Sequence, residues 1–94
     1  MNIRSIRHRG LKRLIEDNDT REIRRDLVGR VRRVITALVL AETVESILAP
    51  PGWRIHQLKG ARTGTWSVSV SGNWRITFEI EGGDITGLDL EDYH

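Results

Sequence analysis

Glu91-Asp92-Tyr93-His94 places two carboxylates, a phenol and an imidazole in succession at the end of the sequence. They follow an apolar, strand-like run from Ile85 to Leu90, which can anchor them. An α-carboxylate beside the His94 imidazole would favour its protonated form, making it a proton donor near neutral pH. Earlier in the chain, His56 and Lys59 bracket the end of one strand-like segment, and Arg75 sits within another. Metal-free cleavage of an RNA phosphodiester needs three functions. A base activates the ribose 2′-OH, a cation stabilises the phosphorane-like transition state, and an acid protonates the leaving 5′-oxygen. His56 and His94 are candidates for proton transfer, Lys59 and Arg75 for phosphate charge, and Asp92 and Tyr93 for orientation or proton sharing. Arginine grips phosphate oxygens in pairs, whereas lysine acts as a compact point charge.

Each candidate also has a purely structural explanation. His56 fits a half-buried strand residue, Lys59 an exposed loop lysine, and Arg75 the cross-strand partner of a carboxylate such as Glu79. Trp53, Trp66 and Trp74 fall at core-facing parity and read as core rather than as base-stacking platforms. His8, beside Arg9 at a strand end, reads as structural. The chain has 94 residues and no cysteine, which excludes disulfides, thiolate metal sites and a thiol nucleophile. No GxGxxG, Walker loop or HExxH occurs, three scattered histidines do not form a metal site, and no cofactor is expected. The basic start lacks an apolar core of signal-peptide length, and no run approaches the ~18 apolar residues of a membrane span. A cytoplasmic protein with no membrane partner is the expectation.

The formal net charge is only +2, but the charges are segregated. Residues 1–62 hold 14 Lys/Arg against 7 Asp/Glu, while residues 63–94 hold 1 against 6. A basic front half suits an anionic partner, either nucleic acid or an acidic protein. A solvated helix face explains it equally well.

These residues must be positioned by a small set of elements. Ile3–His8 has strand-like spacing, and Gly10 is expected to end it. Leu11, Leu14 and Ile15 predict a short helix ending near Asn18. A second helix, capped by Asp19 or Thr20, opens at Glu22 or Ile23. It carries Ile23, Leu27, Val31, Val34, Ile35 and Leu38 as an apolar stripe to about Ala41, with Gly29 weakening its middle. Thr43–Leu48 can add one turn, and Pro50-Pro51-Gly52 closes the helical half. Strands are predicted at Trp53–Leu58, Thr65–Val70, Trp74–Ile80 and Ile85–Leu90. The turns between them lie at residues 59–64, Ser71-Gly72 and Glu81-Gly82-Gly83-Asp84. The order β-α-α-β-β-β-β predicts one α+β domain over residues 1–94. Two to three helices would cover one face of a mostly antiparallel sheet. The other face is expected to be open and polar, carrying Ser67, Ser69, Arg75 and Thr77.

Five segments together resemble the HigB toxins, also called the plasmid maintenance killer family, within the RelE/ParE superfamily. They are Ile6-Arg7-His8-Arg9-Gly10-Leu11, Ile55-His56-Gln57-Leu58-Lys59-Gly60, Trp66-Ser67-Val68-Ser69-Val70, Asn73-Trp74-Arg75-Ile76-Thr77-Phe78 and Glu91-Asp92-Tyr93-His94. The resemblance runs nearly end to end and implies the RelE-like fold. It further implies a ribosome-dependent endoribonuclease that cuts mRNA in the ribosomal A site. Carried over by motif, His94 would be the general acid or base, oriented by Asp92. Lys59 and Arg75 would hold the scissile phosphate, Tyr93 would stack on or orient the substrate base, and His56 would assist proton transfer. The implied partners are the ribosome, mRNA and a helix-turn-helix antitoxin of the HigA type, with operator DNA bound only through the antitoxin complex. Arg24, Arg25, Arg32 and Arg33 would contact ribosomal RNA or the antitoxin. The sequence departs from its relatives in two places. Ser71-Gly72 stands where some carry a basic residue, which implies a less cationic site, and no acidic residue follows Gly60 in the 59–64 loop. Two other readings stay open on the same fold, a ParE-like gyrase inhibitor and a regulatory partner without nuclease activity, because fold alone does not separate them.

Overall fold

A computed structural model describes residues 1–93, so the expectations placed on His94 lie outside the described residues. Helix α1 spans Arg9–Asp17 and α2 spans Val28–Leu40. The strands are β1 (His56–Gln57), β2 (Trp66–Ser71), β3 (Trp74–Glu81) and β4 (Asp84–Asp92), in sheet order β1-β2-β3-β4 with every pair antiparallel. The expected α+β arrangement holds. Leu11, Leu14, Leu27, Val31, Val34 and Leu38 from the helical half pack on Val68, Ile76, Phe78, Ile85 and Leu88 from the sheet in one buried cluster. Burial of this apolar area is the main force joining the two layers.

Several boundaries differ from the sequence reading. Gly10 does not break structure; it lies inside α1. A Cβ at this position would stand 2.6 Å from the Glu22 carbonyl oxygen, so glycine is there to let two backbones meet. The helix starts at His8, whose Nδ1 accepts the Leu11 N–H at 3.1 Å, and it stops at Asn18 in the left-handed conformation. The second helix begins later than expected. Ile23 N–H bonds to Thr20 C=O, and a 3-10 turn at Arg25–Leu27 precedes α2. Gly29 is therefore the second residue of α2, not its middle.

The N-terminal segment runs parallel to β4 along its outer edge, but its backbone bridges β4 only at Ile3↔Ile85 and Ile6↔Leu88. The cause is a bulge in β4. Gly87, at φ +60, interrupts the ladder, and its N–H turns to Ser5 Oγ at 2.8 Å. The expected Trp53–Leu58 strand shrinks to two residues because Trp53 closes a 3-10 turn and Arg54 follows at φ +48, a conformation that ends extension. The hairpin turn falls at Gly72-Asn73, one residue later than predicted, with a register shift between Ser69 and Ser71. All three tryptophans are half-buried and pack on the rim of the core rather than in its centre.

Candidate functional site

The second sheet face is not the open polar surface that alternation suggests. Ser67 is 1% and Thr77 2% exposed. A 3-10 turn at Gly60–Arg62, between β1 and β2, sends Arg62 across this face to β4. There Arg62 donates two bonds to Glu91, Nη1 to Oε1 at 3.0 Å and Nη2 to Oε2 at 2.7 Å. Thr77 Oγ1 donates to the same carboxylate. The Arg62 bonds, helped by Thr77, hold the Glu91 carboxyl below its ordinary pKa despite partial burial. Glu91 in turn raises Arg62, with smaller contributions from Tyr93 and Asp89. Beyond this tie lies a polar groove lined by Arg7, Thr65, Glu79 and Asp89.

Three of the candidate residues, Arg75, Asp92 and Tyr93, meet instead at the end of the sheet. Arg75 faces Glu91 and Trp74 faces Asp92 across β3 and β4, while Tyr93 N–H bonds to Asn73 C=O at 2.8 Å. Register puts Arg75 and Glu91 on one sheet face. Asp92 takes the parity of Trp74, Ile76 and Leu90, on the helix side. The corner thus presents Arg75 on one side and Asp92 on the other, with the exposed Tyr93 beyond the last β4 residue. The Arg75 guanidinium is not paired with Glu79, as its structural explanation had it. Its Nη1 reaches the Gly72 and Trp74 carbonyls at 2.7 and 3.1 Å, which aims the group along the hairpin toward the corner.

His56 is exposed and lies in the row His56–Ser67–Thr77–Asp89, on the Arg75 face. Two strand spacings and two residues separate its Cα from that of Arg75, about 12 Å on ideal sheet dimensions. Its Nδ1 meets the Arg54 carbonyl at 2.8 Å. A carbonyl only accepts, so Nδ1 carries a proton and donates to Arg54, leaving Nε2 as the ring nitrogen that faces away from this bond. Lys59 is exposed at the start of the Gly60–Arg62 turn and makes no ion pair with any described residue. His56, Lys59 and Arg75 are not hydrogen-bonded to one another.

The four basic helix residues do not form one patch. Arg24 lies over the Trp74 ring, 5.8 Å from its centroid, and forks onto Asp26. Arg24 therefore lies at the Trp74 end of the sheet, whereas Arg25 borders a shallow groove with Thr20, Arg21, Ile23 and Val28. Arg32 and Arg33 instead line a groove of about 520 Å³ with Ala37, Leu40, Leu48 and Trp53, where Leu40 is 78% and Leu48 91% exposed. Arg32 also donates to Asn18 Oδ1 at 2.7 Å.

Sequence reading missed Arg62, Thr77 and Glu91 as a unit. The available signal was parity, since Glu91 alternates with Leu90 on β4 and shares a face with Thr77 and Arg75. Among the described residues, no cluster of three His, Cys, Asp or Glu side chains could hold a metal ion.

A small antiparallel sheet backed by two helices, with polar and cationic groups at one strand end, is the RelE-like toxin fold. Two solved structures share it at low sequence identity. YafQ from E. coli strain BL21(DE3) aligns with a TM-score of 0.56 at 12% identity, over 92% of this chain and 88% of that one. A point mutant of YafQ from E. coli gives 0.57 at 11%, over 94% and 89%. Residues 4–94 match the model of a narrower family, described as the RelE-like toxin of the type II toxin–antitoxin system HigB. A Proteus vulgaris protein named Endoribonuclease HigB is 39% identical over 92 residues, covering 98% of this chain and 99% of that relative. The chain belongs to the HigB family of RelE-like toxins, whose membership in a toxin–antitoxin system implies an antitoxin partner.

Proposed function

We propose that this toxin is a ribosome-dependent endoribonuclease that cuts mRNA in the A site by metal-independent attack of the ribose 2′-OH. The observation that carries this reading is the shared end of β3 and β4, where Arg75, Asp92 and Tyr93 meet at one exposed corner. The name and near-complete coverage of the Proteus vulgaris relative support the same reaction class.

In this mechanism the Arg75 guanidinium, oriented by two hairpin carbonyls, holds the scissile phosphate and stabilises its developing charge. Lys59 adds a second cation. Nε2 of His56 assists proton transfer, and His94 acts as general acid or base with Asp92 orienting it. Tyr93 stacks on or orients the substrate base. Asp92 and Arg75 lie on opposite sides of the sheet, so the RNA is gripped at the strand end, where both sides are accessible, and not laid across a face.

Arg24, over Trp74, and the exposed Arg25 next to it in sequence are assigned to ribosomal RNA, because phosphate contacts need exposed charge. Arg32 and Arg33 border an apolar groove, which suits a protein better than a nucleic acid backbone, and are assigned to the helix-turn-helix antitoxin. Operator DNA is bound through that complex. On this reading the chain is one domain over residues 1–94 that acts in the cytoplasm, where ribosomes and mRNA are.

The test is to induce the protein and map mRNA 5′ ends on ribosomes, with plasmid supercoiling measured in parallel. Codon-phased cuts that vanish in Arg75→Ala support the nuclease. Altered supercoiling with intact mRNA would establish gyrase inhibition instead.

A further inference from the structure

We infer that Arg62 and Glu91 form one positioning device that fixes Lys59 relative to Asp92 and Tyr93 in the proposed nuclease; the inference rests on that functional reading. The pair joins residues 29 positions apart, through a fork that uses both carboxylate oxygens. Side-chain exposures of 41% for Arg62 and 26% for Glu91 place it between a surface ion pair and a buried one, backed by the fully buried Thr77. Partial shielding from water makes such a pair a firmer constraint than an exposed one.

Its location is the reason to assign it a role. Arg62 closes the turn that Lys59 opens, and this turn is internally rigid. Thr63 Oγ1 donates to Gly60 C=O at 2.6 Å, and Thr65 N–H donates to Arg62 C=O at 3.0 Å. The turn therefore moves as a unit, and the Arg62 side chain ties it to β4. Glu91 is the residue immediately before Asp92 and Tyr93. The Arg62 guanidinium is taken up by Glu91 rather than presented to a substrate phosphate. Without the tie both flanks still fold: β4 keeps its ladder to β3, and the turn keeps its own bonds. What is lost is the distance between two groups that must act on one phosphodiester. Misplacement of reacting groups by ~1 Å costs ~100-fold in rate.

The experiment compares Arg62→Ala, Glu91→Ala and the double variant in single-turnover cleavage of ribosome-bound mRNA, with ribosome affinity and melting temperature measured on the same samples. Each single variant should lose about 10- to 100-fold in the rate at saturating ribosomes, with affinity changed less than about twofold. The double variant should be no worse than the worse single one, because the two side chains act as a unit. Wild-type rates in the singles, multiplicative losses in the double, or a loss confined to affinity would overturn the inference. Amide exchange separates this from failure of the nuclease reading. If the wild-type chain cuts nothing, that reading fails. The tie itself is then judged by whether Glu91→Ala speeds exchange at Thr65 and Tyr93; unchanged exchange would overturn it.

Discussion

Two glycines in helices should respond to the same substitution with opposite sign. Alanine is favoured over glycine in a helix by up to ~1 kcal/mol, partly because it restricts the unfolded chain. Gly29 has nothing within 4 Å of an added Cβ, so Gly29→Ala should show most of that gain. At Gly10 the added Cβ meets the Glu22 carbonyl oxygen at 2.6 Å and His8 Cε1 at 2.8 Å. The first contact is backbone, so α1 must move away from residues 20–22. The second is the imidazole that caps α1, and displacing it endangers a cap worth ~1 kcal/mol. Overpacking costs of ~1–3 kcal/mol outweigh the propensity gain. At roughly 4–8 °C per kcal/mol for a domain of this size, Gly10→Ala should melt at least about 5 °C below wild type and Gly29→Ala a few degrees above it. Thermal and urea melts followed by circular dichroism measure both. A Gly10→Ala protein as stable as wild type would refute the claim that this glycine is required by backbone approach.

Other outcomes can be checked on the same protein. Arg75→Ala should abolish cleavage yet shift stability by about 1 kcal/mol or less, since among the described residues its guanidinium bonds to the Gly72 and Trp74 carbonyls beside the hairpin turn; a melt beside a cleavage assay reads both. Leu40→Asp should weaken antitoxin binding by at least about tenfold in calorimetry while cleavage on isolated ribosomes continues, because Leu40 lines the apolar groove and not the corner. Glu91 has a depressed pKa in the folded protein, so it binds protons more weakly than in the unfolded chain. Its stabilising contribution is therefore present above ~4.3, the unfolded value, and is lost as pH falls through the lower folded value. The difference in melting temperature between wild type and Glu91→Gln should shrink steadily below about pH 4.5, and a difference independent of pH would contradict this.

Periodicity alone determined the layers. The stripe from Ile23 to Leu38 and the alternation of Trp74, Ile76 and Phe78 specify which sides must be buried, and burial of apolar area leaves one way to stack them. The five motif segments, ending in Asp92-Tyr93-His94, likewise carried the family. Two kinds of fact were not legible. Gly10 looks like a breaker in one dimension, and only the approach of the Glu22 carbonyl reveals a helix that needs a missing side chain. Alternation also marked Ser67 and Thr77 as solvent-facing, because it reports two faces without saying what lies over the second. The long-range Arg62–Glu91 pair covers that face and moves the candidate chemistry from the sheet surface to its end. Local spacing encodes which residues share a side; contacts between residues 29 positions apart decide which side meets water.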